Sequence, residues 1–378
     1  MSLLSPPRRP RCEGWFRMPT PPRPPCAGAL LAAAALASLA AAGAEPPPLL
    51  PLSVPDPLRL ASLSPGVADV QHLAQGRWQV TVETAYFNVW SKSWHAAAIH
   101  REFHLEGKPL EPWELRELER RHAGDAIFQF DLEGWLGELT VARGLGRGVT
   151  LAATLPWLDV GHPHWDAVPW KVHQAMGWKM ANRDVFARSA TVAYAWSPRR
   201  QVALEGWGDL EGAHLADLRL ALSGPLGSLL GGRHYWVAAA DAPTGRRGTF
   251  AGSGGVDTGL RWFVQWRGSR AALQVGAGYT RLAPSGELLQ TRRENTWHLL
   301  ATTAWRAGRR TSLQVGARLD SSPLAAFTAG APADPALTVT LAWRRELPGG
   351  GWVALALGEN VPSTGVAPDF ALHLQAGW

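Results

Sequence analysis

From residue 77 onward, apolar and polar side chains alternate one by one over segment after segment. "RWQVTVETAY" sets Trp78, Val80, Val82 and Tyr86 against Arg77, Gln79, Thr81 and Glu83. "ADLRLALS" sets Leu218, Leu220 and Leu222 against Asp217, Arg219 and Ala221, and "LRWFVQW" sets Leu260, Trp262, Val264 and Trp266 against Arg261 and Gln265. "ALTVTLAWR" opposes Leu337, Val339, Leu341 and Trp343 to Thr338, Thr340 and Arg344. The chain ends the same way: in "DFALHLQAGW", Phe370, Leu372, Leu374, Ala376 and Trp378 oppose Ala371, His373, Gln375 and Gly377. A period of two is the signature of an extended strand with two unlike faces. Each segment runs about 9–11 residues, the length of a tilted strand that crosses a bilayer.

The pattern predicts strands near 77–90, 126–142, 148–157, 186–196, 201–209, 214–223, 234–241, 256–266, 270–281, 296–305, 310–319, 336–345, 351–358 and 370–378. No stretch after the first 44 residues reaches the length of apolar sequence that a spanning helix needs. A strand protein that crosses lipid must be a closed barrel, because open sheet edges go unsatisfied there. The expectation is an all-β fold: a transmembrane antiparallel up-and-down β-barrel of about 14 strands, with 12 or 16 also compatible, after a cleaved signal peptide. Residues 93–105 and "EPWELRELERRH" fall in the first outer loop, the latter as a short helix. The apolar phase flips between Phe128, Phe130, Leu132 and Trp135, Leu139, Val141, which predicts a bulge near Gly134.

Short basic turns follow several strands: "SPRRQ", "RGSR", "RAGRR" and "RRELPGG". A tryptophan precedes each, at Trp196, Trp266, Trp305 and Trp343, and Trp378 falls at the corresponding strand end. A repeated offset before tight turns predicts one rim of an aromatic girdle at a membrane interface. "ALQVGAGY" at 272–279 and "SLQVGARL" at 312–319 repeat one strand–turn unit. Longer polar segments lie at the other strand ends, near 91–125, 158–185, 241–255, 282–295, 320–335 and 359–369.

Residues 1–44 read as a targeting segment. Arg8, Arg9, Arg11, Arg17 and Arg23 precede the apolar run "AGALLAAAALASLAAAGA", which ends on Ala42-Gly43-Ala44, an A-x-A cleavage pattern. Met18 is an alternative start. Without this leader the chain holds 32 basic and 30 acidic residues, so the basic balance belongs to the leader and gives no reason to expect nucleic acid. Both cysteines, Cys12 and Cys26, lie in the leader, so the mature chain has no disulfide framework and no thiolate metal site. Residues 45–75 open Pro-rich and read as a periplasmic linker, and 76–378 as the barrel domain.

Between 77 and about 196 four stretches carry a resemblance: "FNVW" (87–90), "FDLEGW" (130–135), "RGLGRGVTLAATLPWLDVG" (143–161) and "HQAMGWKMANR" (173–183). They resemble an uncharacterised family of Gram-negative envelope proteins, a domain of unknown function expected to form outer-membrane barrels. Asp131-Leu132-Glu133 stands where that family has an Asp-Gly-Glu step, and its His…Gly…Arg loop is matched by His173, Gly177 and Arg183. The resemblance implies a barrel and an outer-membrane address, and brings no activity.

On the inward side the alternation places Glu83, Asp131, Glu133, Glu138, Glu205, Asp209, Asp217, Arg219, Arg261, Arg306, Arg318, Arg344, His298 and His373. Mixed charges there either satisfy one another or line a wet lumen. Asp131 and Glu133 are also spaced as a general acid–base pair. The second outer loop gathers Asp159, His162, His164, Asp166 and His173; an H-x-H step is a weak transition-metal signal, and a Trp-anchored loop over the barrel mouth is the plainer reading. No nucleophile elbow or phosphate-binding loop is present.

The functional expectation is a channel or passive transporter for small solutes, or an envelope structural barrel. The alternatives are a barrel-embedded lipid hydrolase and a surface receptor or adhesin. No enzyme activity and no cofactor are called for. The partners expected are membrane lipid, the outer-membrane assembly machinery acting on the C-terminal strand, and a small solute.

Overall fold

The structure, a computed structural model, describes residues 47–50 and 73–378, apart from 109–110, 123, 126, 162–164, 166, 176, 178–184, 187–190, 198–200, 207–209, 247–248, 284–292, 325–333 and 361–368. The leader lies outside these residues.

The described strands are β1 (Trp78–Lys92), β2 (Ile127–Gly146), β3 (Val149–Val160), β4 (Val192–Ser197), β5 (Gln201–Gly206), β6 (Gly212–Leu215), β7 (Leu218–Leu229), β8 (Gly232–Ala242), β9 (Asp257–Arg267), β10 (Ala271–Arg281), β11 (Asn295–Arg306), β12 (Thr311–Asp320), β13 (Ala336–Glu346), β14 (Trp352–Asn360) and β15 (Phe370–Gly377). Three helices join them: α1 (Trp94–Glu102), α2 (Pro112–Arg121) and α3 (Ala167–Ala175). No described helix is long and apolar enough to cross a membrane.

Neighbouring strands pair antiparallel in the ring order β1-β2-β3-β7-β8-β9-β10-β11-β12-β13-β14-β15. The ring closes where β15 pairs with β1, from Thr81 opposite Gly377 to Asn88 opposite Phe370. The terminal tryptophan takes part: Trp378 N donates to Val80 O (3.0 Å) and Val80 N to Trp378 O (3.2 Å). This is the architecture of an outer-membrane β-barrel, with every ring edge satisfied internally.

The ring therefore has 12 strands, the lower of the counts the pattern allowed around about 14. The two extra segments are β4 and β5. β4 pairs with the start of β2, from Ile127 opposite Trp196 to Asp131 opposite Val192. That stretch lies beyond the last β2–β3 pair at Gly134 and Val160, so β4 and β5 extend the sheet past the ring. β6 is a four-residue extension on the outer end of β3. The bulge expected near Gly134 is not there: β1 and β2 pair without interruption from Trp78–Arg143 to Lys92–Gln129. The register shift in β2 falls instead between Gly144 and Gly146, at the hairpin.

Two of the short turns show why their residues suit them. Arg147 and Gly148 both have positive φ (51° and 77°), as do Leu230 and Gly231 (52° and 73°). Positive φ at both central residues is the I′ geometry, whose twist matches that of the flanking strands, and glycine at the second position removes half the strain. Long connections occupy the opposite end of the ring, with α1, α2 and α3 among them.

Register fixes which face each residue takes. Outward positions hold Leu139, Leu151, Leu155, Leu220, Leu222, Leu260, Leu299, Leu341, Leu355, Leu357 and Leu374, each at least 36% exposed. Inward positions on the same strands hold Gln274, Thr302, Gln314, Arg318, Arg344, His373 and Gln375, all buried. The usual order of a water-soluble protein is reversed.

Candidate functional site: the barrel interior and its mouth

Inward residues form connected polar rows. Glu83 and Glu138 face each other directly across β1 and β2. Like charges in that relation repel, and each carboxylate has its own partners. His373 Nδ1 lies 2.8 Å from Glu83 Oε1, and Gln375 Nε2 donates to Glu83 Oε2 at 2.7 Å. Arg219 Nη1 reaches Glu138 Oε1 at 3.5 Å, and its Nε lies 3.4 Å from Asp241 Oδ1.

A second row crosses four strands, because Arg261, Gly278, His298 and Asp320 are successive register partners. Arg261 Nε donates to His298 Nε2 (3.0 Å), and Arg318 grips Asp320 at 2.7 to 2.9 Å. The His298 ring lies over Gly278, where an added Cβ would sit 2.0 Å from Cε1, so only glycine leaves room for it. Nearer the short turns, Gln265 Nε2 donates to Gln274 Oε1 (2.9 Å), and the Arg344 guanidinium stands 4.5 Å from the Trp352 ring centroid.

The N-terminal segment lies against this wall. Leu49 and Leu50 are almost fully buried among Ala272, Ala304, Ala342, Ala354, Ala356 and Trp352. Those residues occupy inward positions on β10, β11, β13 and β14. Gln314 holds the segment by its backbone: Leu50 N donates to Oε1 (2.7 Å), and Nε2 donates to Leu50 O (3.3 Å). Further along, Leu73 N donates to the inward Thr150 Oγ1 at 3.1 Å. At least 47–50 of the stretch read as a linker thus lies inside the ring.

The long-loop end is narrowed by packing among the described residues. Asp217, in the break between β6 and β7, accepts from Gly245 N (2.8 Å) and Ser253 N (2.7 Å). These bonds draw the β8–β9 connection inward and bury Phe250 and Ala251 with Phe87, Val89, Phe130, Leu132, Leu136 and Leu324. Asp217 therefore anchors a loop across the mouth.

Asp131 and Glu133, expected inside, take the other face. Unbroken β1–β2 pairing puts them on the side of Leu139, opposite to Glu138. They are nonetheless buried, because loops cover the outer face there. Glu133 Oε1 accepts from Tyr86 OH (2.8 Å) and from Trp165 N (3.0 Å), and Trp165 packs edge-on to Trp135.

Trp196 stands on β4, off the ring, and packs against the cluster of Trp90, Ile99, Leu115 and Phe186 rather than at the short-turn rim of the ring. Trp266, Trp305, Trp343 and Trp378 all take outward positions near the short-turn end. Trp78 joins them there, 60% exposed with the Arg143 guanidinium 5.1 Å from its ring. Arg306 lies at the same rim, its Nη1 donating to Arg309 O. Glu205 is on β5, also off the ring. His162, His164, Arg183 and Asp209 lie outside the described residues.

His173 lies on α3, with Nε2 3.1 Å from Glu359 Oε1. That bond raises its pKa above the usual histidine value, against partial desolvation. Interior residues not singled out from the sequence include Asp241, Asp257, Asp320 and Gln314. All four sit on the inward phase of their strands, so the alternation itself marks them.

No family model matches the chain and no curated protein does, so the resemblance to the family of unknown function has no match behind it. Among solved structures the chain is similar to an outer-membrane channel from Pseudomonas putida F1, at 13% identity and TM-score 0.49, covering 82% of this chain and 97% of that one. It is also similar to a Pseudomonas aeruginosa FadL homologue, at 9% identity and TM-score 0.36, covering 85% and 92%. A third is the P. putida toluene transporter TodX, at 9% identity and TM-score 0.35, covering 86% and 91%. At these scores the likeness carries no argument, and the barrel stands on the pairing of this chain's own strands.

Proposed function

We propose that this chain is an outer-membrane β-barrel that acts as a narrow channel or passive transporter for a small solute. One observation carries the reading: leucine and tryptophan face outward and exposed around the ring, while the polar residues of the same strands face in and are buried. An apolar belt with a polar interior suits hydrocarbon outside and a solute path inside. Trp266, Trp305, Trp343 and Trp378 then lie at the periplasmic interface. The assembly machinery engages β15, the strand that completes the ring.

The interior sets the scale of the path. Inward positions are largely Ala, Gly and Thr, which leave room, but Leu49, Leu50 and the Phe250 loop occupy part of it. That occupancy favours one competing reading, an envelope structural barrel that passes nothing. His373, His298 and His173 are engaged with Glu83, Arg261 and Glu359, as parts of wall and loop ties.

Purified, folded protein in planar bilayers tests the proposal. A channel gives stepwise conductance, and a chain beginning at residue 73 conducts more than one beginning at residue 45. A folded barrel that is silent in both forms removes the channel reading and leaves the structural one.

A further inference from the structure

We propose that His95, His122 and Asp125 form a binding site for a divalent transition-metal ion, of the zinc type, on the first outer loop. The three come together through the packing of two short helices. His95 is the second residue of α1, His122 is the C-cap of α2, and Asp125 lies just before β2. Backbone bonds set the turn that follows α2: His122 N donates to Leu118 O and Asp125 N to His122 O, both at 2.8 Å.

The ligand atoms are already convergent. His95 Nε2 is 3.2 Å and His122 Nδ1 is 3.8 Å from Asp125 Oδ2, and all three ligand atoms lie within 4.8 Å of one another. Zinc bonds of about 2.0–2.2 Å in a tetrahedron put neighbouring ligands about 3.3 Å apart, so rotation of the His122 and Asp125 side chains closes the site. The imidazoles stack at 3.9 Å between centroids, and the more exposed His122 ring must turn out of that stack for its Nδ1 lone pair to meet an ion shared with His95.

Two imidazoles and one carboxylate suit Zn²⁺, Cu²⁺ or Ni²⁺ rather than Ca²⁺ or Mg²⁺. Access comes from one side. The His95 side chain is 6% exposed, whereas those of His122 and Asp125 are 34% and 56% exposed. An ion can enter from solvent and keep a water as its fourth ligand. Bound there, it would fasten the start of α1 to the end of α2 and to the entry of β2. The plain alternative is a hydrogen-bonded tie that holds no ion.

The test uses the folded full-length mature chain in detergent micelles, stripped with chelator and titrated calorimetrically with Zn²⁺. Co²⁺ absorbance provides an independent readout of tetrahedral ligation. The expected result is one ion per chain, with affinity reduced roughly tenfold or more in His122→Ala and in Asp125→Asn. Both substituted side chains reach solvent, so the fold should survive them. A double variant, His162→Ala with His164→Ala, should bind as the parent does. Absence of saturable binding overturns the proposal. So does loss of binding in that double variant together with its retention in His122→Ala.

Discussion

At the scale of single residues, the decisive variable is which medium a side chain meets. Leu220 and Leu341 are 47% and 55% exposed on the outer face, and Thr338 is 8% exposed on the inner face. Arginine at either leucine should destabilise the folded barrel by about 2–4 kcal/mol near mid-bilayer. Arginine at Thr338 should cost much less, because that position faces the polar interior. Urea unfolding in lipid vesicles compares the three, and equal losses would contradict the facing. A second residue-scale prediction concerns Glu83. Removing its partner in His373→Ala leaves a buried carboxylate opposite Glu138, and should cost about 1–3 kcal/mol in the same assay. His373→Gln, which keeps a donor, should recover part of that.

At the scale of elements, alternation reports that a segment has two unlike sides and does not report what lies on either side. The strands from β7 to β15 were legible because their outward positions are apolar and exposed and their inward positions small or polar and buried. β4 and β5 alternate as well, yet they extend β2 beyond the ring, and no local signal separates that from a ring strand. The phase change in β2 has the same origin. Below Gly134 the outer face carries Leu139 and Val141; above it, Trp165 and the α1–α2 cluster cover that face, so it can carry Asp131 and Glu133. The environment changes while the backbone runs straight on. Site residues on ring strands were readable for that reason, and those in 127–133 were not.

One tether at this scale depends on pH. His173 gains a proton more readily when α3 docks on Glu359, so its folded pKa is raised. Docking is then strongest below the unfolded histidine value of about 6.5 and weakens as pH rises through the higher folded value. Hydrogen exchange across 167–175 should accordingly be slower at acidic than at alkaline pH, once corrected for intrinsic rates. In Glu359→Gln that difference should shrink. A pH dependence unchanged by the substitution would assign it elsewhere.

At the scale of the molecule, the account joins a closed ring of 12 strands to an interior narrowed at both ends. Gln314 clamps the peptide of Leu50 at one end, and Asp217 fixes the Phe250 loop at the other. The alternation marks Gln314 and Asp217 as inward, but neither contact was legible in the sequence, because each joins segments far apart in the chain. Gln314→Ala should loosen the N-terminal segment and raise conductance, measured in planar bilayers against the parent. The most direct measurement of the central claim uses single cysteines from 337 to 344 along β13, in a chain begun at residue 45, which otherwise has none. Each carries a fluorophore, in vesicles whose acyl chains are brominated. Quenching by the chains should be strong at 337, 339, 341 and 343 and weak at the positions between. Uniform weak quenching, or the opposite phase, would contradict a barrel wetted by lipid on its leucine face.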